Sequence, residues 1–336
     1  MRRYLLSAAL PALVAAGCAG DQIGDDHLPG TVDVADDSGG TDASDGAGEA
    51  SRDDSGRDDA GTDDWTAPDD GGADDAAPDV PTTTCDRWRD QYPERSAWVW
   101  RAGAAQCDVG EIDPVAIDDA VRRVNLYRSL VGLPGIVNNA EFSRKAQQCA
   151  VLMAAMRTLD HAPPSTATCY TPEAAEAAGS SNLARGAGSP AQAVDLFIED
   201  GGVRSLGHRR WIFDPRYSQG GFGHAHGYQC QWVFGWGLDP RPEFVAYPGP
   251  GEFPIQALRG AWSLSAEASF DGATVEVTRV ADGAAVPVSG TWLPDPGFGQ
   301  PTIAWYVPGA GPGAYRVRVA GGSRTFDYST TLVDCR

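Results

Sequence analysis

Five histidines in 336 residues are few enough to weigh one by one. His208 stands in L-G-H-R-R-W-I-F-D-P, residues 206–215, with Arg209 and Arg210 directly after it. A neutral imidazole can bind zinc or act as a base. Two adjoining guanidiniums can hold an anionic group through paired hydrogen bonds, or spend their charge on aspartates such as Asp200 and Asp214. His224 and His226 lie two apart, so on a strand they share a face. That spacing suits a metal-binding pair, or a solvent-facing strand or loop, and both readings stand. Trp232 and Trp236 read as core or rim aromatics rather than ligand platforms. No serine sits in a G-x-S-x-G elbow or another nucleophile signature.

Apart from Cys18, the cysteines are Cys85, Cys107, Cys149, Cys169, Cys230 and Cys335. An even number in an exported chain predicts three disulfides. No C-x-x-C pair occurs, which excludes a zinc ribbon or a thioredoxin-like site. Cys149–Cys169 is the expected local pair, and Cys85–Cys107 with Cys230–Cys335 completes the set.

The elements that must position these groups begin at Asp113-Pro114, a capping side chain followed by proline at the first helical position. Val121, Val124, Leu126 and Leu130 continue that helix until Gly132 and Pro134 stop it. A second helix starts near Asn138, with Glu141 three residues on, and runs to about Leu159. Thr171-Pro172 and Ser189-Pro190 repeat the cap-then-proline signal. The last opens a helix with Val194, Phe197 and Ile198 apolar and Glu199 near its end. Short strands follow at 221–224 and 231–234. Helices first and strands afterwards predict an α+β layered domain.

The order N-x-x-R, L-x-H, S-N-L, a helix ending in Glu, then G-H-R-R-W-I-F-D-P and G-G-F-G resembles the CAP superfamily of cysteine-rich secretory, antigen-5 and pathogenesis-related proteins. The resemblance is to the bacterial extracellular branch that carries G-H-R-R-W-I, and it covers roughly residues 113–250. It implies an α-β-α sandwich with a central cleft that two His and two Glu line in many members. Carried over by motif, His161 matches the first His, His208 the second and Glu199 one acid. The other acid belongs to G-E-N-L, where this chain reads S-S-N-L, so Ser181 stands in its place beside Asn182. His161, His208 and Glu199 would together make a zinc site, with water completing it. Ser181 as nucleophile with His208 as base is the weaker alternative. Family members are associated with lipid binding and with interactions between cells, so the resemblance favours binding over catalysis.

After Tyr247-Pro248-Gly249-Pro250-Gly251 the pattern turns to period two. Val275, Val277, Val286, Val288, Tyr315, Val317 and Val319 alternate with polar residues, and Asp282-Gly283 marks a hairpin. These features predict a small all-β sandwich over 255–336, read as a binding or support module.

The net charge of −20 belongs mostly to one segment: residues 21–84 hold 20 of the 46 acidic residues and only two Arg. With no basic stripe elsewhere, a nucleic-acid partner is excluded. That acidic Asp/Gly/Ala-rich stretch, taken as 19–84, reads as a disordered tether. Before it, Arg2 and Arg3, an apolar run from Tyr4 to Ala16, and A-A-G-C ending at Cys18 read as a lipoprotein signal over 1–18. The cysteine would carry a lipid that anchors the protein to a membrane. Residues 85–112 form a lead-in. The whole reads as a monomeric, exported, membrane-anchored surface protein that binds a lipid-like or macromolecular ligand. Its rivals are a metal-dependent hydrolase and a structural envelope component.

Overall fold

The computed structural model describes residues 83–237 and 242–336. The signal segment, Cys18 and the tether up to residue 82 lie outside the described residues. Helix α1 (Thr84–Gln91) leads into a two-stranded hairpin, β1 (Trp100–Arg101) with β2 (Glu111–Ile112). Three of the later helices start where a capping oxygen precedes proline, which needs no partner for an amide it lacks. Asp113 caps α2 (Pro114–Leu130), Thr171 caps α4 (Pro172–Gly179) and Ser189 caps α5 (Pro190–Glu199). Between them α3 (Ala140–Met156) is capped by Asn139, whose side chain accepts from the amides of Glu141 and Phe142. The short α6 (Gly207–Ile212) carries G-H-R-R-W-I.

Four strands lie among these helices: β3 (Val137–Asn138), β4 (Ser181–Arg185), β5 (Tyr217–Ala225) and β6 (Tyr228–Trp236). They form one sheet in the order β3-β5-β6-β4. Helices α3 and α4 pack on one face, and α2, α5 and α6 on the other. The alternation along β5 shows why. A Cβ on Gly221 or Gly223 would come within 2.3 or 2.1 Å of backbone atoms of Phe142 or Ala146. The G-G-F-G run therefore lets β5 lie directly against α3, while Phe222 points the other way into the core shared with α2 and α5.

The remaining strands build a β-sandwich. One sheet has the order β11-β10-β14-β15-β8 and the other β12-β13-β9-β7. Here β7 is Val245–Tyr247, β8 Gly251–Pro254, β9 Trp262–Ser265, β10 Thr274–Arg279 and β11 Ala285–Val286. Then come β12 (Ser289–Trp292), β13 (Thr302–Tyr306), β14 (Gly313–Ala320) and β15 (Phe326–Val333). The fold is thus α+β, an α-β-α sandwich followed by an all-β sandwich. The second module starts earlier than 255, because β7 pairs with β9 and β8 with β15. Strands of three and four residues are too short to show an alternation in the sequence. The two modules share one hydrophobic cluster, in which Phe197 of α5 and Tyr217 of β5 belong with Trp262, Trp305 and Phe326 of the sandwich.

Three disulfides form, with pairings that differ from those expected at every position. They are Cys85–Cys335, Cys107–Cys169 and Cys149–Cys230. Cys149 lies on α3 and faces β6 across the layer, so its partner is Cys230 and not its sequence neighbour Cys169. Cys169 instead ties its loop to the lead-in. Cys335 reaches back to α1, where Arg89 also donates to its carbonyl at 3.1 Å.

Candidate functional site

Strand β4 lies between the two matched histidines, and its pleat decides which groups can meet. Asn182 pairs with Gln231, and its side-chain amide donates to the carbonyl of His208 at 3.0 Å. Ser181 pairs with Trp232, whose ring stacks on Phe142 of α3. Neighbours along a strand point to opposite faces. Ser181 thus faces the α3 side and Asn182 the α6 side. A Ser181 nucleophile with His208 as its base does not form, because the sheet separates them.

His208 is 0% exposed. Its Nδ1 donates to Asp200 Oδ1 at 2.7 Å, since a carboxylate only accepts, and the Phe197 ring stacks on the imidazole. The other carboxylate oxygen of Asp200 accepts the amide of Arg209 at 3.1 Å. Asp200 ends α5 in the left-handed region at φ 51°, a conformation Asp tolerates better than most side chains. That turn buries Asp200 beneath α6 and leaves Glu199 exposed. The acid matched by motif is therefore not the one that holds the histidine; its neighbour is. The sequence carried a faint sign of this in Asp200-Gly201-Gly202, a helix end suited to left-handed backbone.

His161 is half-buried, and its Nδ1 donates to the carbonyl of Ala178 at 2.9 Å, near the end of α4. Both matched imidazoles thus carry the proton on Nδ1, the tautomer a metal-bound Nε2 would require. The rest of a zinc site does not fit. Glu199 points to solvent, Ser181 supplies no anionic oxygen, and His208 is sealed. Among the described residues no group of three or more His, Cys, Asp or Glu is placed to hold a metal ion.

Arg209 and Arg210 do neither of the things expected of them. The Arg209 guanidinium donates to the carbonyls of Ile198 at 2.6 Å, Glu199 at 3.1 Å, Arg259 at 3.2 Å and Ala261 at 2.6 Å. That of Arg210 donates to the carbonyls of Ser205 at 3.0 Å, Asp295 at 2.7 Å and Gln300 at 3.0 Å. Neither holds a side-chain carboxylate; Asp214 is taken by Arg216 at 2.8 Å. Burial pushes Arg210 down to about 10. The two arginines fasten α6 to the β-sandwich.

His224 and His226 do not share a strand face. His226 and Gly227 have φ 51° and 80° and form the turn between β5 and β6. His226 is exposed with its ring edge-on to Trp100 at 4.7 Å, whereas His224 is buried against the side-chain amide of Gln229. Burial pushes His224 down to about 4. Trp232 is 6% exposed and Trp236 39%, a core and a rim aromatic respectively.

Residues 121–236 match the family model described as CAP: Cysteine-rich secretory protein family. No curated protein matches the chain. Among solved structures, the chain is similar to an extracellular protein containing a SCP domain from Bacillus anthracis str. Ames, solved at 1.5 Å resolution. That likeness has 16% identity and a TM-score of 0.30, over 37% of this chain and 44% of the other. The chain therefore spans less than half the length of that protein.

Proposed function

We propose that this chain is an exported surface protein whose CAP-like domain works by binding and not by hydrolysis. The observation that carries the reading is the sealing of His208, 0% exposed with its Nδ1 given to Asp200. A general base or metal ligand must reach its substrate or ion, and here the imidazole braces α6 against α5. The three disulfides support passage through an oxidising compartment. In this reading residues 1–18 direct export, Cys18 carries a lipid, and the acidic segment to residue 84 spaces the folded part from the membrane. Separating membrane from soluble fractions tests the anchor: the wild-type protein should sediment with membranes and Cys18→Ser should not. Zinc titration against a chelating dye, with ester hydrolysis measured in parallel, tests the binding reading. Wild type and His208→Gln should take up zinc equally poorly, and neither should turn over ester. Zinc-dependent turnover that His208→Gln abolishes would establish the hydrolase instead.

A further inference from the structure

A hollow of about 580 Å³ opens on the far side of the sheet from His208. Its walls are the lead-in loop after β1, the C-terminal turn of α3 and the β5–β6 turn. The volume is in the range of small-molecule sites. Trp100 and Tyr228 supply aromatic surface, Val151 and the alanines of α3 an aliphatic floor, and Asp108 and Arg157 opposite charges. The Cys107–Cys169 disulfide pins the loop wall.

The charges are the informative part. Arg157 makes no hydrogen bond or ion pair with any described residue. It is exposed and ends α3 at φ 58°. Asp108 turns one oxygen to the amide of Ala105 at 2.8 Å and pairs with no cation among the described residues. The loop is closed tightly around it, since a Cβ on Gly103 would come within 2.2 Å of the Asp108 Cβ. A guanidinium and a carboxylate that line one hollow without pairing leave each free for a ligand charge of opposite sign. Trp100 and Tyr228 add aromatic lining to the same hollow.

We infer that this hollow binds a small zwitterion with an apolar body, of the class of an aromatic or branched α-amino acid. Its ammonium would lie towards Asp108, its carboxylate on Arg157, and its side chain on Trp100 and Val151. The inference rests on the binding reading above, and names a ligand class for it at a place away from the matched histidines.

Equilibrium dialysis of the full-length protein against L-phenylalanine tests it, with phenethylamine and 3-phenylpropanoate as analogues lacking one charge each. Phenylalanine should bind at least tenfold more tightly than either analogue. Asp108→Asn keeps an oxygen for Ala105, and Arg157→Asn suits the left-handed backbone, so both variants should melt with wild type. Each should weaken phenylalanine at least tenfold, and Arg157→Lys should recover part of the loss. Equal binding of phenylalanine and both analogues, no binding up to 10 millimolar (on the order of the weakest ligands worth assigning), or indifference to both variants overturns the site. Those outcomes leave the binding reading standing, because that reading fails only on zinc-dependent turnover, measured in the separate assay.

Discussion

The left-handed turn at Asp200 sets the acid that the fold uses apart from the acid that the motif picks out. Glu199 and Asp200 adjoin in sequence, yet one faces solvent and the other accepts from the buried His208 at 2.7 Å. Removing a charged partner from a buried group costs about 1–3 kcal/mol, and a surface change away from such contacts about 0.5 kcal/mol or less. Asp200→Asn should therefore lower the urea midpoint clearly, and Glu199→Gln should hardly move it. The reverse order would return Glu199 to the site. His224 gives a second test at this scale. Its folded value, about 4, lies below the ordinary 6.5 because burial disfavours the cation. The unfolded chain then binds the extra proton first as pH falls. The stability this burial confers is whole above about 6.5 and is lost as pH drops towards about 4, by roughly 3 kcal/mol in all. Urea unfolding across that window should show the decline, and His224→Gln should flatten it.

Among the elements, the resemblance motifs turn out to be backbone staples. Asn125 of N-x-x-R bonds both the amide and the carbonyl of Ile136, at 2.6 and 2.9 Å. Arg128 donates to the carbonyls of Pro134, Ile212, Asp214 and Tyr217. Arg209 and Arg210 do the same across the joint between modules. Helix starts were legible in the sequence because Asp113, Thr171 and Ser189 act within their own turn, and a local signal survives in a local pattern. What the arginines bond was not legible, because carbonyl acceptors leave no mark in residue type. The side of the sheet on which Ser181 lies was hidden for a similar reason, as it follows from pairing with Trp232 and not from the S-N-L motif. Disulfide partners depend on the same kind of long-range placement. Arg210→Lys should behave as a loss, since an ammonium cannot fan out to three carbonyls as a planar fork does. Carbonyls left buried without partners cost about 1–3 kcal/mol each. Arg210→Lys and Arg209→Lys should each lower stability by roughly that much or more, measured by denaturant unfolding. Wild-type behaviour in both would refute the staple.

At the scale of the molecule, the α-β-α layer and the β-sandwich should unfold as one cooperative body, because three independent ties join them. The shared core is the first. The second is a buried polar knot. Tyr92 and Tyr127 donate to Asp195 at 3.0 and 2.7 Å, Arg123 pairs with the same carboxylate, and Arg259 of the second module donates to both tyrosine oxygens. The third is Cys85–Cys335, with a sequence separation of 250 that closes nearly the whole described chain into a loop. Closing so long a loop removes much freedom from the unfolded state, and loss of such a native disulfide costs about 2–5 kcal/mol. The Cys85→Ser, Cys335→Ser double variant should melt roughly 5–15 °C lower, given about 2–4 °C per kcal/mol for a body of this size. Its transition should remain single, because the core and the Asp195 knot persist without the disulfide. Differential scanning calorimetry reads both features at once. Two resolved transitions would mean that the covalent tie, and not the shared core, makes the modules unfold together. An unchanged midpoint would mean that the unfolded chain is already held compact by the other two disulfides.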